Sequence, residues 1–257
     1  MRAEWPDQLR NGRRGSASRL RSNLQGIQLI NDEHDKHDYD LSQSILVGCR
    51  FEGASLARLK LVACKMSRCE FIGSNMAGAD LSFATGHDID FEAANLNRAV
   101  LFGSHWIGFF GGAQLSSVCF DLAYLGGRFI GGARLDNASF VAADIRSSRF
   151  ESARLDSACF DGANIWWTHF EDISASVPIS VKYACLKDVN LSEVPYQPKQ
   201  LECSFGDASV ILSSPSPEFW PKVRLLDEID ATNPLTSSNQ YIKWIRNPSS
   251  YDPPEKT

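Results

Sequence analysis

The 257-residue sequence predicts an all-β fold, a four-sided parallel β-helix in which the chain bends once every five residues. Three observations predict it. A large apolar residue returns at every fifth position over most of the chain, a small residue sits two places before it, and phenylalanines recur at separations of twenty residues but never of fifteen. On an α-helix, five residues turn about 500°, so an apolar stripe would rotate by about 140° per repeat. On a straight strand an odd period throws alternate large residues to opposite faces. Bending at every pentad and stacking each coil on the next keeps them all inside. Separations of twenty at 51/71, 71/91, 109/129, 120/140, 140/160 and 150/170 place rings above one another in a four-sided coil.

The elements follow in chain order. Residues 1–40 form a basic, partly mobile segment and cap, with Leu20, Leu24, Ile27, Leu29 and Ile30 as its apolar positions. The repeat occupies 41–212. It runs from Leu41 through Phe51, Leu61, Phe71, Leu81, Phe91 and Leu101, interrupted at Gly86, where a gap or bulge is expected. After Trp106 the register slips by one within Trp106–Gly112 and resumes at Phe110, Leu115, Phe120, Leu125, Ile130, Leu135, Phe140, Ile145, Phe150, Leu155, Phe160, Ile165 and Phe170. The expected core ladder is Phe51, Phe71, Phe91, Phe110, Phe120, Phe140, Phe150, Phe160 and Phe170. Between Asp172 and Val181 one residue is inserted, and Pro195 and Pro198 loosen the coil after that. Residues 213–257 lose the period and form a Pro- and aromatic-rich tail, packing on the last coils, with a short helix at 239–246.

Alanine fills the small slot at Ala54, Ala79, Ala94, Ala143 and Ala163, and Cys49, Cys64 and Cys69 occupy the same slot. These cysteines are read as core, since a free Cys packs as a small hydrophobe. With Asp or Asn often between, as in Ala79-Asp80-Leu81 and Ala163-Asn164-Ile165, the motif is A-[DN]-[LF]-x-x. On these residues the sequence resembles the bacterial pentapeptide-repeat proteins over about Leu41 to Leu201. The resemblance implies a right-handed quadrilateral β-helix. The repeat architecture, an outward aromatic face and the absence of a site point first to a non-enzymatic protein-interaction scaffold, and the resemblance implies as a second reading a DNA-mimicking modulator of a type II topoisomerase such as DNA gyrase. The second is disfavoured by charge, because residues 41–70 carry a net charge of +3 and residues 71–125 of −4, whereas such mimics are continuously acidic.

Charge and motifs exclude other classes. A net charge of −5 gives no general positive field for direct nucleic-acid binding. No apolar run reaches the ~18–20 residues of a membrane span, and the N-terminus lacks the apolar core of a signal peptide. A cytoplasmic location is expected, with seven Cys that need not pair. No CxxC, zinc-ligand spacing or phosphate loop occurs, so no catalytic residue, cofactor or metal is expected. Asn31–Asp38, with His34 and His37, reads as a solvated lead-in, a divalent-metal site being the alternative, and His87 beside Asp88 lacks a nucleophile. The outward aromatics Trp106, Phe109, Phe129, Trp166 and Trp167 are the candidate partner surface, unless the C-terminal tail folds back over them. The partner itself and the oligomeric state are not legible.

Overall fold

The computed structural model describes residues 23–25, 40–129, 132–226 and 235–254. Of the N-terminal segment only Asn23–Gln25 and Asp40 fall among them.

Among the described residues, nine short strands form one all-parallel sheet in chain order: β1 (Asn23–Gln25), β2 (Ile45–Val47), β3 (Lys65–Ser67), β4 (Thr85–Asp90), β5 (His105–Phe109), β6 (Tyr124–Leu125), β7 (Asp144–Arg146), β8 (Asn164–Trp166) and β9 (Cys185–Lys187). They make the first side of a rod. Single bridges such as Arg50↔Glu70, Ser55↔Asn75 and Lys60↔Asp80 make the second, third and fourth sides, again at twenty-residue spacing. The fold is therefore the quadrilateral parallel β-helix that the phenylalanine spacing predicts.

Each pentad forms by the same local chemistry. Leu56 and Arg58 donate their N–H groups to Asn75 and Ala77 of the next coil at 2.7 and 2.9 Å. The N–H of Leu59 closes the turn on the Leu56 carbonyl at 3.1 Å, and the Leu59 carbonyl accepts from Asp80 at 2.9 Å. The corner residue must adopt a left-handed conformation, with φ +62° at Arg58 and +58° at Leu122. For a non-glycine residue that costs about 1–2 kcal/mol. The inter-coil hydrogen bond made by the corner N–H offsets it, since a buried unpaired amide costs as much or more.

Rings fill the interior. Phe51, Phe71, Phe91, Phe110, Phe129, Phe150 and Phe170 stack in one column on the second side, with centroids 4.6–5.2 Å apart. Phe120, Phe140 and Phe160 stack on the fourth side and meet the first column edge-on. All are buried.

The register shows the bulge expected beside Gly86 and the slip expected after Trp106, and departs from the sequence reading at Phe129. Gly86 leaves no gap, because the Trp106 indole of the next coil fills it; a Cβ on Gly86 would lie 2.2 Å from that ring. Trp106 Nε1 donates to Ser104 Oγ at 2.6 Å, so the indole is buried with its polar group paired. Above it the first side shortens from five residues to four, at Trp106–Phe110 and again at Leu125–Phe129. The pairing of β4 with β5 accordingly jumps between His87↔Ile107 and Ile89↔Gly108. Glycine permits the close approach, since a Cβ on Gly108 would meet the Ile89 carbonyl oxygen at 2.5 Å. The second shortening puts Phe129 inside, stacked between Phe110 and Phe150. Ile130, expected in that column, lies outside the described residues. Farther on, the pairing passes from Arg154↔Ser174 to Cys159↔Ser180, which locates the one-residue insertion between them. The Asp156 carboxylate accepts from the N–H groups of Ser176 and Val177 there.

The tail closes the far end. Trp220 covers Gly206, where a Cβ would lie 2.5 Å from the ring, and its Nε1 donates to the Ser204 carbonyl at 2.9 Å. Leu225 is held at both backbone groups: its N–H donates to Asp207 Oδ2 at 2.7 Å, and its carbonyl accepts from Lys187 Nζ at 2.6 Å. Helix α1 (Ser237–Arg246) is capped by the Thr236 side chain, which accepts from the Asn239 N–H. It packs Trp244 and Tyr241 against Phe205.

Candidate partner surface

The structure separates the five aromatics expected to form one outward cluster. Trp106 and Phe129 are buried in the rod and are not surface residues. Trp106 lies five residues after Leu101, on the inward slot of the unbroken pentad, and is the core residue of β5, whereas the second shortening of the first side rotates Phe129 inward. Trp166 is also buried, beneath the tail, in a second small core with Cys185, Phe205, Leu225 and Trp244. Trp167 is partly buried against the same cluster. Phe109 stays 48% exposed on the second side, with the Arg128 guanidinium 5.7 Å from its ring centre. Thus the tail covers the Trp166–Trp167 pair, and Phe109 stands apart from it.

A different surface is assembled by the corners. Phe83, Leu122 and Tyr183 each occupy the left-handed corner between the fourth and first sides and are 55–57% exposed. The Phe83 ring lies over the next corner, Gly103, where a Cβ would come within 2.8 Å, and meets Phe102 edge-on at 5.6 Å. Val100 and Val141 extend the apolar strip across the fourth side. On the first side His105 and Tyr124 stack at 4.3 Å beside exposed Ile107. Asp80, Asp88 and Asp121 border the strip, and no Lys or Arg occurs in residues 80–90, 99–108 or 119–127. The sequence carried this signal: Phe83, Leu122 and Tyr183 lie two places after core residues, in a slot usually held by Gly, Ser, Ala or Arg.

The remaining candidate chemistry is placed plainly. His87 Nε2 and Asp88 Oδ2 lie 3.4 Å apart, both well exposed on the open face of the rod. Burial pushes the Cys64 thiol up to about 11 and raises those of Cys119 and Cys159. At neutral pH these thiols stay protonated, and the thiol form is a poor nucleophile and metal ligand. Among the described residues no group of His, Cys, Asp or Glu is arranged to hold a metal ion. The Asn31–Asp38 segment lies outside them. Elsewhere the outer columns mix signs: Arg50 bonds both Glu52 and Glu70, and Arg154 lies between Asp136 and Asp156. The hydrogen bond that Arg50 donates to the Glu52 carboxylate is the main cause that raises the Arg50 pKa. No helix among the described residues is long and apolar enough to cross a membrane.

Comparison with known proteins bears on the repeat. The family model "Pentapeptide repeats" matches in 8 copies, including residues 40–71, 54–92, 64–103 and 131–172. Among solved structures the chain is similar to full-length QnrB1, a plasmid-mediated fluoroquinolone resistance protein, at 14% identity, covering 60% of this chain and 92% of that one with a TM-score of 0.40. It is similar to a pentapeptide repeat protein from the Arabidopsis thaliana thylakoid lumen at 21% identity, covering 46% and 66%, TM-score 0.28. A third is Rfr23 from the cyanobacterium Cyanothece 51142, at 18% identity, covering 51% and 87%, TM-score 0.17. No curated protein matches the chain.

Proposed function

The chain is a pentapeptide-repeat protein, and from that premise we propose that it is a non-catalytic interaction scaffold whose docking surface is the corner strip of Phe83, Phe102, Leu122, Val100 and Val141. One observation carries this reading: the strip is exposed, contiguous over several coils and bordered by one sign of charge. Monomers rarely expose contiguous apolar patches beyond a few hundred Å², and larger ones mark interaction sites. The rigid side of a β-helix also spares a partner the ordering cost that a loop surface imposes. Cytoplasmic residence belongs to the same proposal, since none of the seven cysteines is joined in a disulfide.

The test is an affinity capture with the full chain, comparing the parent with F83S/L122S. Both side chains are exposed, so the variant keeps its fold, checked by thermal melting. Loss of specific partners supports the scaffold, and an unchanged partner set refutes the strip. Modulation of a type II topoisomerase by DNA mimicry is disfavoured by the paired, mixed charges of the second and third sides. Micromolar protein is accordingly expected to leave gyrase supercoiling unaffected.

A further inference from the structure

The corner that bears the acidic apolar strip also bears, farther along the rod, a surface of opposite charge. Helix α1 lies against this corner, where the Tyr241 hydroxyl donates to the Tyr183 carbonyl at 3.1 Å. The inward face of α1 buries Gln240 and Trp244. Its outward face carries Ile242 and Ile245, 41% and 47% exposed, together with exposed Lys243 and Arg246. Lys182 is exposed beside it. One corner therefore presents apolar residues among carboxylates at mid-rod and apolar residues among cations near its end.

We propose that the strip is occupied by a second copy of this chain, docked antiparallel, with α1 of each copy seated on the Phe83–Leu122 strip of the other. The inference rests on the reading of the strip as a docking surface and names its occupant. In this arrangement Lys243 and Arg246 of one copy approach Asp80, Asp88 and Asp121 of the other, and Ile242 and Ile245 cover Phe83, Phe102 and Leu122. The two-fold axis falls near Val141 and Ala142, small apolar residues on the same corner that let the rods approach. Each contact occurs twice and no complementary surface is left over, so the assembly closes at two copies. Asp161 of one copy falls opposite Asp121 of the other, and Lys182, on the adjacent coil, offsets that repulsion.

Geometry suits a stable pair. Six coil steps separate the Phe83 level from the Phe205 level, about 29 Å at ~4.8 Å per step. A standard interface takes about 800 Å² from each partner. A strip of that length supplies it when the two sides meeting at the corner both take part. Other occupants fit less well. Anionic lipid headgroups and nucleic acid would meet carboxylates on a strip whose residues 80–90, 99–108 and 119–127 hold no Lys or Arg.

Sedimentation velocity on the full chain tests this, with Leu122→Lys and Ile245→Glu. Both side chains are exposed, so neither change touches the core, and circular dichroism melts confirm the fold. The parent is expected to sediment as a species of twice the 28.5 kDa chain mass at micromolar concentration. Each variant alone should dissociate at least about tenfold more readily, because like charges or a carboxylate then face the partner's surface. An equimolar mixture of the two should recover the dimer, since the introduced ammonium of one variant meets the introduced carboxylate of the other. A monomeric parent, a ladder of higher species, or variants that dimerise as the parent does would overturn the proposal. A monomeric parent whose captured partners still depend on Phe83 and Leu122 would overturn this inference alone and leave the scaffold standing.

Discussion

Replacing Trp106 by Ala should cost about 3–5 kcal/mol, the range for deleting a fully buried large aromatic side chain. The indole is wholly inside the rod, packs edge-on against Phe91 at 5.6 Å, and fills the space that Gly86 leaves. Gly86→Leu alone should also destabilise by at least about 1–3 kcal/mol, because a Cβ at 86 would already sit 2.2 Å from the ring. Combined with Trp106→Leu, however, Gly86→Leu restores the ordinary stack of aliphatics that Leu46, Met66, Leu125 and Ile145 already form in that column. The double variant should therefore be more stable than the sum of its single changes predicts, by about 1–3 kcal/mol of coupling. Urea unfolding followed by circular dichroism and by tryptophan fluorescence measures this, coincident transitions establishing a two-state comparison. Additive penalties, or a Trp106→Ala cost below about 1 kcal/mol as for an exposed residue, would refute the account of a paired hole and plug.

Three further outcomes are expected. Phe129→Ala should lower stability by about 3–5 kcal/mol, while Phe109→Ala loses no more than about 1 kcal/mol with its Arg128 contact, as read from unfolding midpoints. Lys187→Ala should free Leu225 and the Ser237 hydroxyl, weakening the tail by about 1.5–3 kcal/mol; faster protease cleavage near residue 225 with an intact repeat would register it. The Asp156 carboxyl is held below its usual range, chiefly by the Val177 N–H with further help from the Ser176 N–H and Arg154. Its contribution is thus full above the ordinary aspartate pKa of about 3.9 and fades as pH falls through the lowered value. Melting temperatures between pH 5 and 2 should consequently drop more steeply for the parent than for D156N, and parallel curves would contradict this.

Much of the fold was legible because the pentad repeat leaves one way to keep Leu61, Phe71 and Leu81 all inside. The helix in the tail was legible as well, from Asn239 to Arg246, within two residues of its start at Ser237. The surface was less so. Trp106 falls on the inward slot five residues after Leu101, and Trp166, next to core Ile165, is closed off by the tail, but Phe129 looks outward once a constant period is counted from Phe110 to Ile130. Whether a ring faces in or out there depends on a one-residue shortening of the first side, which follows from packing against Gly86, Gly108 and Gly127 rather than from local preference.

What the sequence by itself determined is the architecture: five-residue bends, four sides, stacked phenylalanines and an aromatic tail. Inward positions answer to volume and apolarity, and those are written residue by residue. Tertiary structure alone decided which aromatics reach solvent, because that turns on contacts between coils and on tail residues such as Leu225 and Trp244, nearly sixty and eighty residues after Trp166. It also brought Phe83, Leu122 and Tyr183 onto one corner, since coil stacking makes neighbours of residues that sequence order keeps apart.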